Sequence, residues 1–186
     1  MSVPRIMLVP THATGLANAI AAAIAEIATA QGHRVRYHHL VPLTATSAWD
    51  RWEGAAFLDS ALYDVQELAA LYQVATRGAQ LSLLSSSIGI LDKRPGADWT
   101  PADMAVLLDC PVVAVLDCRG WSSGMRALLA GLRAELGQVN LAGVILTGLA
   151  DAEHGDELGA IMRAQGVPVL GALHQADGPG REGRPP

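Results

Sequence analysis

The sequence predicts a doubly wound, mostly parallel α/β sheet with helices on both faces. Three observations carry that expectation. Short apolar runs alternate with helix-period segments from end to end, the pattern of repeated βαβ units. Hydrophobic residues make up 51% of the chain but aromatics only 4%, so the core is expected from Ala, Leu, Val and Ile, as suits strands buried on both faces. The chain also opens with Arg5-Ile-Met-Leu-Val-Pro-Thr-His-Ala-Thr-Gly-Leu-Ala-Asn-Ala19, which reads as a buried strand, a tight turn and a helix start.

The elements follow in order. Arg5–Val9 is the first strand, and the helix after it places Leu16, Ile20, Ile24 and Ile27 on one face before stopping near Gly32. Arg34–Leu40 is the second strand. A connection from Val41 to Phe57, holding Trp49 and Trp52, is long enough to be a lid or binding loop. Tyr63–Thr76 forms the second helix and Gln80–Leu84 the third strand. Thr100-Pro-Ala-Asp103 is a helix start, with Thr100 as N-cap and Pro101 at the first helical position. Val112–Leu116 is a strand. Ser123–Leu136 is a helix that aligns Met125, Leu128, Leu129, Leu132 and Leu136 and ends at Gly137. Ala142–Leu146, a helix over Asp151–Gln165 and the strand Val169–Ala172 complete the pattern.

At 186 residues the chain suits one domain, over 1–174, followed by a flexible Gly/Pro/Arg-rich tail over 175–186. Its formal charge of −5 offers no basic stripe for nucleic-acid phosphates, so nucleic acid is excluded as a main partner. No apolar run is long enough for a bilayer and no signal-peptide pattern follows Met1, which predicts a cytoplasmic protein without a membrane partner. Cys110 and Cys118 flank one strand, roughly 26 Å apart if extended, and read as buried thiols rather than a disulfide. Neither has a nearby metal-ligating partner, and no metal site is expected. His38 and His39, adjacent on a strand, point to opposite faces and do not chelate together.

The strand–turn–helix opening has the place of a phosphate-binding loop without its chemistry. Such a loop ends in Gly-Lys-Ser/Thr, its lysine reaching the β- and γ-phosphates. Here Leu16-Ala17-Asn18 occupies those positions, and Lys93 is the only lysine in the protein. Backbone amides from Pro10 to Gly15 remain able to cradle an anion at the helix start.

Two further stretches carry a resemblance. Ser87-Ile-Gly-Ile-Leu-Asp92 followed by Trp99-Thr-Pro-Ala-Asp-Met-Ala-Val-Leu-Leu-Asp-Cys-Pro-Val-Val-Ala-Val-Leu-Asp-Cys-Arg-Gly120 is similar to "EGVMGLYDG … STAEVAKLLGAPVVLVVDARG". Leu141-Ala-Gly-Val-Ile-Leu-Thr147 with Gly166-Val-Pro-Val-Leu-Gly-Ala172 is similar to "LAGVILN … GVPVLGALP". From about Arg5 to Leu173 the chain thus resembles the nucleotide-binding domain of cobyrinic acid a,c-diamide synthase and its CobB/CobQ relatives, with dethiobiotin synthetase and the ParA/MinD proteins more distant. The resemblance implies a P-loop NTPase-like fold and a ligand at the strands' carboxyl ends. Against the family's "GTxSGVGKTT", the lysine aligns with Ala17 and the Mg²⁺-binding Thr with Asn18. The acidic residue opening "EGVMG" aligns with Ser85, and the adenine-reading asparagine with Thr147. Of "KVGPDYIDP" only Pro42 remains. The family's glutaminase domain would begin where this chain stops, so amidation here would take ammonia from a separate source.

The resulting candidates for ligand binding are Thr11, His12, Thr14, Gly15, Ser85, Gly89, Asp92, Asp117 and Thr147, with no catalytic residue assigned. Asp92 and Asp117 match acidic positions of the family, though each Asp equally suits a turn after its strand. Two functions are open, beside a pure scaffold whose pocket is filled by side chains. One is a non-ATPase binding or partner subunit with a degenerate nucleotide site, homodimeric by resemblance or paired with another protein, with a small-molecule ligand. The other is an enzyme, either an ATP-dependent amidoligase or ligase of cobalamin- or biotin-like cofactor biosynthesis or a repurposed catalyst in the same pocket. ATP with Mg²⁺ would require Arg5, Arg94, Arg119 or a partner's arginine in place of the lysine.

Overall fold

The computed structural model describes residues 3–14, 16–40 and 57–174. They form β1 (Arg5–Pro10), α1 (Leu16–Ala30), β2 (Val35–Leu40), β3 (Phe57–Leu58), α2 (Val65–Ala75), β4 (Leu81–Ser86), α3 (Pro101–Leu107), β5 (Val112–Asp117), α4 (Met125–Leu136), β6 (Leu141–Leu149), α5 (Ala152–Ala164) and β7 (Val169–His174). The seven strands make one sheet in the order β3-β2-β4-β1-β5-β6-β7, every pair parallel. All six expected strands are present. The two-residue β3 is the addition, pairing His39 and Leu40 with Phe57 and Leu58 at the sheet's edge. The expected lid over 41–56, with its two tryptophans, and the tail over 175–186 lie outside the described residues.

Local chemistry sets the helix ends as the sequence suggests. The Thr100 hydroxyl accepts from the Asp103 amide, and the Asp103 carboxylate accepts from the Thr100 amide at 2.8 Å, a reciprocal cap with Pro101 behind it. Asp64 and Glu67 close α2 in the same way. Gly137 ends α4 at φ 54°, a conformation that favours glycine.

Winding direction then sorts the helices. The chain runs from β1 to β2 and on to β3 toward one edge of the sheet, and every crossover from β3 onward runs the other way, so right-handed connections put α1 on one face and α2–α5 on the other. The packing agrees. Leu8, Tyr37, Leu83 and Val113 meet the alanines of α1, whereas Met7, Leu84, Ala114 and Leu146 meet α2–α5.

The seating of α1 is the main departure from expectation. Its buried residues are Ala17, Asn18, Ala21, Ala25 and Ala28. Leu16, Ile24 and Ile27 of the apolar stripe are exposed, Ile27 by 59%. Small side chains let the helix lie close over β1, β2 and β4, and the bulkier stripe is left on its flank. Ala21→Leu is therefore expected to destabilise the fold by about 1–3 kcal/mol through overpacking, and Ile27→Ala to change it by less than about 0.5 kcal/mol. Urea unfolding of the two variants checks this seating, since the opposite orientation predicts the reverse order.

Candidate functional site

The carboxyl end of β1 lies between β4 and β5, where the chain's winding reverses and α/β sheets open a crevice. The loop over Thr11–Thr14 is stitched across it. The Thr11 amide donates to Val115 O at 3.3 Å, the Thr14 amide to Ser87 O at 3.1 Å, and the Ile90 amide to Pro10 O at 2.9 Å. The Thr14 hydroxyl accepts from the Leu16 amide at the start of α1.

On one side of this loop is a cleft of about 160 Å³ lined by Thr14, Leu16, Val115, Asp117, Arg119, Thr147 and Gly148. Asp117, at the end of β5, accepts from the Arg119 guanidinium through both carboxylate oxygens and from the Arg119 backbone amide at 3.1 Å. These bonds hold its carboxyl below the usual carboxylate range. His12 Nε2 lies 4.0 Å from Asp117 Oδ2, with its ring largely exposed. The Thr147 hydroxyl donates to Leu116 O at 2.9 Å and is turned into the sheet. Gly148, at φ 67°, leaves the space in which the Arg119 stem lies: a Cβ there would fall 2.7 Å from Arg119 Cγ.

On the other side, beneath the first turn of α1, is a buried polar network. Asn18 Nδ2 donates to Ser87 Oγ at 2.6 Å, and Ser87 Oγ lies 3.3 Å from His39 Nε2. Tyr37 OH bonds Ser85 Oγ at 2.6 Å and donates to the Asn18 carbonyl at 3.3 Å. Asn18 Oδ1 has no partner among the described residues. On the opposite face of β2, His38 meets Tyr72 edge-on at 5.5 Å, so the two histidines diverge as the strand geometry requires. Burial pulls both imidazoles from 6.5 down to about 4; the Arg36 charge adds to this for His38, and a backbone bond at Leu40 opposes it for His39.

The loop after β4 closes the front. Asp92 Oδ2 accepts from the Gly89 amide at 3.1 Å, and a Cβ on Gly89 would fall 2.3 Å from that oxygen and 2.7 Å from Thr11 O, which is why glycine stands there. The Arg94 guanidinium is paired with the buried Asp59 carboxylate. Arg5 opens β1 at the sheet's other end, donating to Leu108 O at 2.7 Å. Of the three expected arginines, only Arg119 faces the cleft. Among the described residues no three His, Cys, Asp or Glu side chains gather as a metal site.

No family model matches the sequence. The chain is 33% identical over 125 residues to a cobyrinate a,c-diamide synthase of Gloeobacter violaceus, covering 66% of this chain and 28% of that protein. It is 34% identical over 122 residues to a hydrogenobyrinate a,c-diamide synthase of Mycobacterium tuberculosis, covering 62% and 27%. Its sequence relatives are a,c-diamide synthases. The chain spans little more than a quarter of their length. Solved structures share its doubly wound fold. Chloroplast FtsY from Physcomitrella patens matches at TM-score 0.61 and 17% identity, over 97% of this chain and 60% of that one. FlhF complexed with GTP and Mg²⁺ matches at 0.55 and 13%, over 90% and 63%.

Within this fold, Thr14, Asp117 and Thr147 come to one cleft, with Thr11 and His12 on its loop. Ser85 lies apart, fully buried under α1 and bonded to Tyr37. Gly89 and Asp92 form their own turn across the loop, and Gly15 lies outside the described residues. Sequence reasoning did not find Tyr37 or Gly148. The positive φ of Gly148 has no local signature beyond the glycine itself, and the pairing of Tyr37 with Ser85 spans 48 residues.

Two histidines held neutral near pKa 4 contribute stability that is fully present above about pH 6.5 and is lost as pH falls toward 4. Unfolding free energy is expected to drop across that window with a slope approaching two protons, and His39→Gln to reduce it by about one. Urea titrations at stepped pH measure both slopes.

Proposed function

We propose that this chain is a non-ATPase relative of the a,c-diamide synthase nucleotide-binding domain, acting as a binding or partner subunit with a small polar ligand at the strand ends. One observation carries the reading. Ala17 and Asn18, aligned with the lysine and the Mg²⁺-binding Thr, are both turned inward, and the Asn18 amide donates to Ser87 beneath the loop. The Asn18 Oδ1, the one side-chain oxygen these two positions could offer a divalent cation, is buried beneath the first turn of α1 rather than presented to the loop. The residues present therefore do not fit Mg·nucleotide.

The surrounding groups support the same reading. Ser85 supplies no charge, the Asp92 carboxylate is engaged by the Gly89 amide, and the Asp117 carboxylate by Arg119. Phosphoryl transfer depends on positioning and on neutralising charge, and the position aligned with the phosphate lysine is Ala17. The cleft of about 160 Å³ is also below the 300–1,000 Å³ of usual ligand pockets, a size for a small anion or hydroxylated fragment.

The ligase reading retains one favouring observation: Arg119 stands in the cleft and, released from Asp117, could meet a phosphate bidentately. Thermal unfolding with millimolar Mg·ATP, Mg·ADP and each nucleotide without metal separates the two. A ligand at a hundred times its dissociation constant adds about 2.7 kcal/mol. The expected result is no shift with any nucleotide. A clear Mg·ATP shift abolished by Arg119→Ala would replace the binding-subunit reading with the ligase.

A further inference from the structure

The amino ends of β1 and β4, with the end of α2, enclose a second cavity. It measures about 440 Å³ and is lined by Val3, Arg5, Tyr72, Thr76, Arg77 and Gly78. That volume lies within the 300–1,000 Å³ of usual ligand pockets. Arg5 and Pro10 stand at opposite ends of β1, which puts this cavity and the strand-end cleft roughly 16 Å apart along the sheet.

Its walls are fixed by bonds within the chain. Tyr72 OH donates to Ser82 Oγ at 2.9 Å and holds the ring against β4. Arg34 Nε donates to Gly78 O at 2.8 Å and the Arg34 amide to Gln80 Oε1 at 2.9 Å, tying the turn after α2 to the chain entering β2. Free carbonyls at a helix C-terminus repel anions, but here they are engaged. Tyr72 O accepts from the Thr76 amide and hydroxyl, Val74 O from the Arg77 amide, and Thr76 O from the Ala79 amide.

Charge then singles out the corner. The protein carries 18 Asp and Glu against 13 Lys and Arg, and Arg94 and Arg119 are each paired with a carboxylate. Among the described residues neither Arg5 nor Arg77 has such a partner. Arg5 donates from Nε to Val3 O and from Nη1 to Leu108 O, which leaves three of its five N–H donors uncommitted. Its guanidinium carbon lies 5.8 Å from the centre of the Tyr72 ring. Asp109 follows Leu108 in the chain, but it is exposed and does not line the cavity.

We propose that this cavity binds a small organic oxyanion, a carboxylate or phosphate on an apolar body, with Arg5 and Arg77 on the anion and Val3 and Tyr72 against the body. Two planar guanidinium forks match either oxyanion bidentately. The apolar wall of Val3, the Tyr72 ring and the arginine stems calls for more than a bare ion. The inference is independent of what the strand-end cleft takes.

Two-dimensional ¹H–¹⁵N NMR on the full 19.4 kDa chain tests it by titration with phenyl phosphate, benzoate, inorganic phosphate and benzyl alcohol. At least one aromatic anion is expected to shift the Gly78 amide and the Arg5 and Arg77 Nε–H resonances saturably. Its dissociation constant should be about 1 mM, the scale of a fragment. Benzoate binding identifies the carboxylate form and phenyl phosphate binding the phosphate form. Inorganic phosphate should bind there at least fivefold more weakly, and benzyl alcohol should shift nothing. Arg77→Gln, at an exposed position, should raise the dissociation constant at least tenfold, and Arg163→Gln, exposed on α5, should leave it unchanged. Should Arg77→Gln lose the spectral dispersion of a folded chain, the position of the wild-type shifts and the alcohol titration decide. The absence of saturable shifts at Gly78, Arg5 and Arg77 up to about 20 mM overturns the proposal, as do shifts centred on Asp117 and Arg119. Equal affinity for inorganic phosphate, which would mean an adventitious ion only, or equal weakening by Arg163→Gln, overturns it as well.

Discussion

The position of β1 between β4 and β5 governs this molecule. Because β1 is central and the chain runs from it to one edge, at β3, before every later crossover runs the other way, the described helices divide as one on one face and four on the other. The same reversal opens the crevice at the carboxyl end of β1, where the Thr11–Thr14 loop, Asp117 and Arg119 gather. The cleft and the uneven division of the described helices are thus consequences of one topological choice. The alanine content of α1 follows from it too, since the helix has to approach three strands closely and does so with Ala17, Ala21, Ala25 and Ala28.

Beneath the first turn of α1 the polar side chains are held by neutral hydrogen bonds. A lysine or carboxylate beneath the first turn of α1 would demand a counter-charge or a bound ion, because an unpaired buried charge is costly. Asn18, Ser87 and His39 on one line and Tyr37 and Ser85 on the other satisfy one another without net charge. Such a network stabilises the loop in the absence of any ligand, whereas an empty nucleotide site leaves its lysine and acids facing each other across solvent. Among the described residues, Asn18 Oδ1 is left without a partner. The cost of neutrality appears elsewhere, in two histidines that must stay unprotonated for the fold to hold.

Much of this architecture was legible in the sequence because it is encoded locally. Strand runs such as Val112–Leu116, the Thr100–Asp103 cap and Gly137 act within a few residues of themselves, and each stands where the sequence places it. What was illegible is set by distance. The periodicity of α1 defines its stripes but not which one meets the sheet, and the bulkier stripe is the less buried. The two residues of β3 have no pattern long enough to read, and they exist only because β2 offers an edge. Within the site, Thr14, Asp117 and Thr147 were found because each sits at the end of a readable strand or the start of a readable helix. The withdrawal of Ser85 into a bond with Tyr37 needed the pairing of β2 with β4, which no local pattern carries.

Leu16 joins the two unusual features. It lines the cleft beside Asp117 and Thr147, and it also begins the exposed stripe of α1. The residues between them, Ala17 and Asn18, are fixed to the sheet below, so α1 is rigidly seated at the turn that borders the mouth. The helix is bounded by a neutral hydrogen-bonded network below and an apolar flank beside it, so its packing on β1, β2 and β4 connects the loop over Thr11–Thr14 to the rest of the molecule.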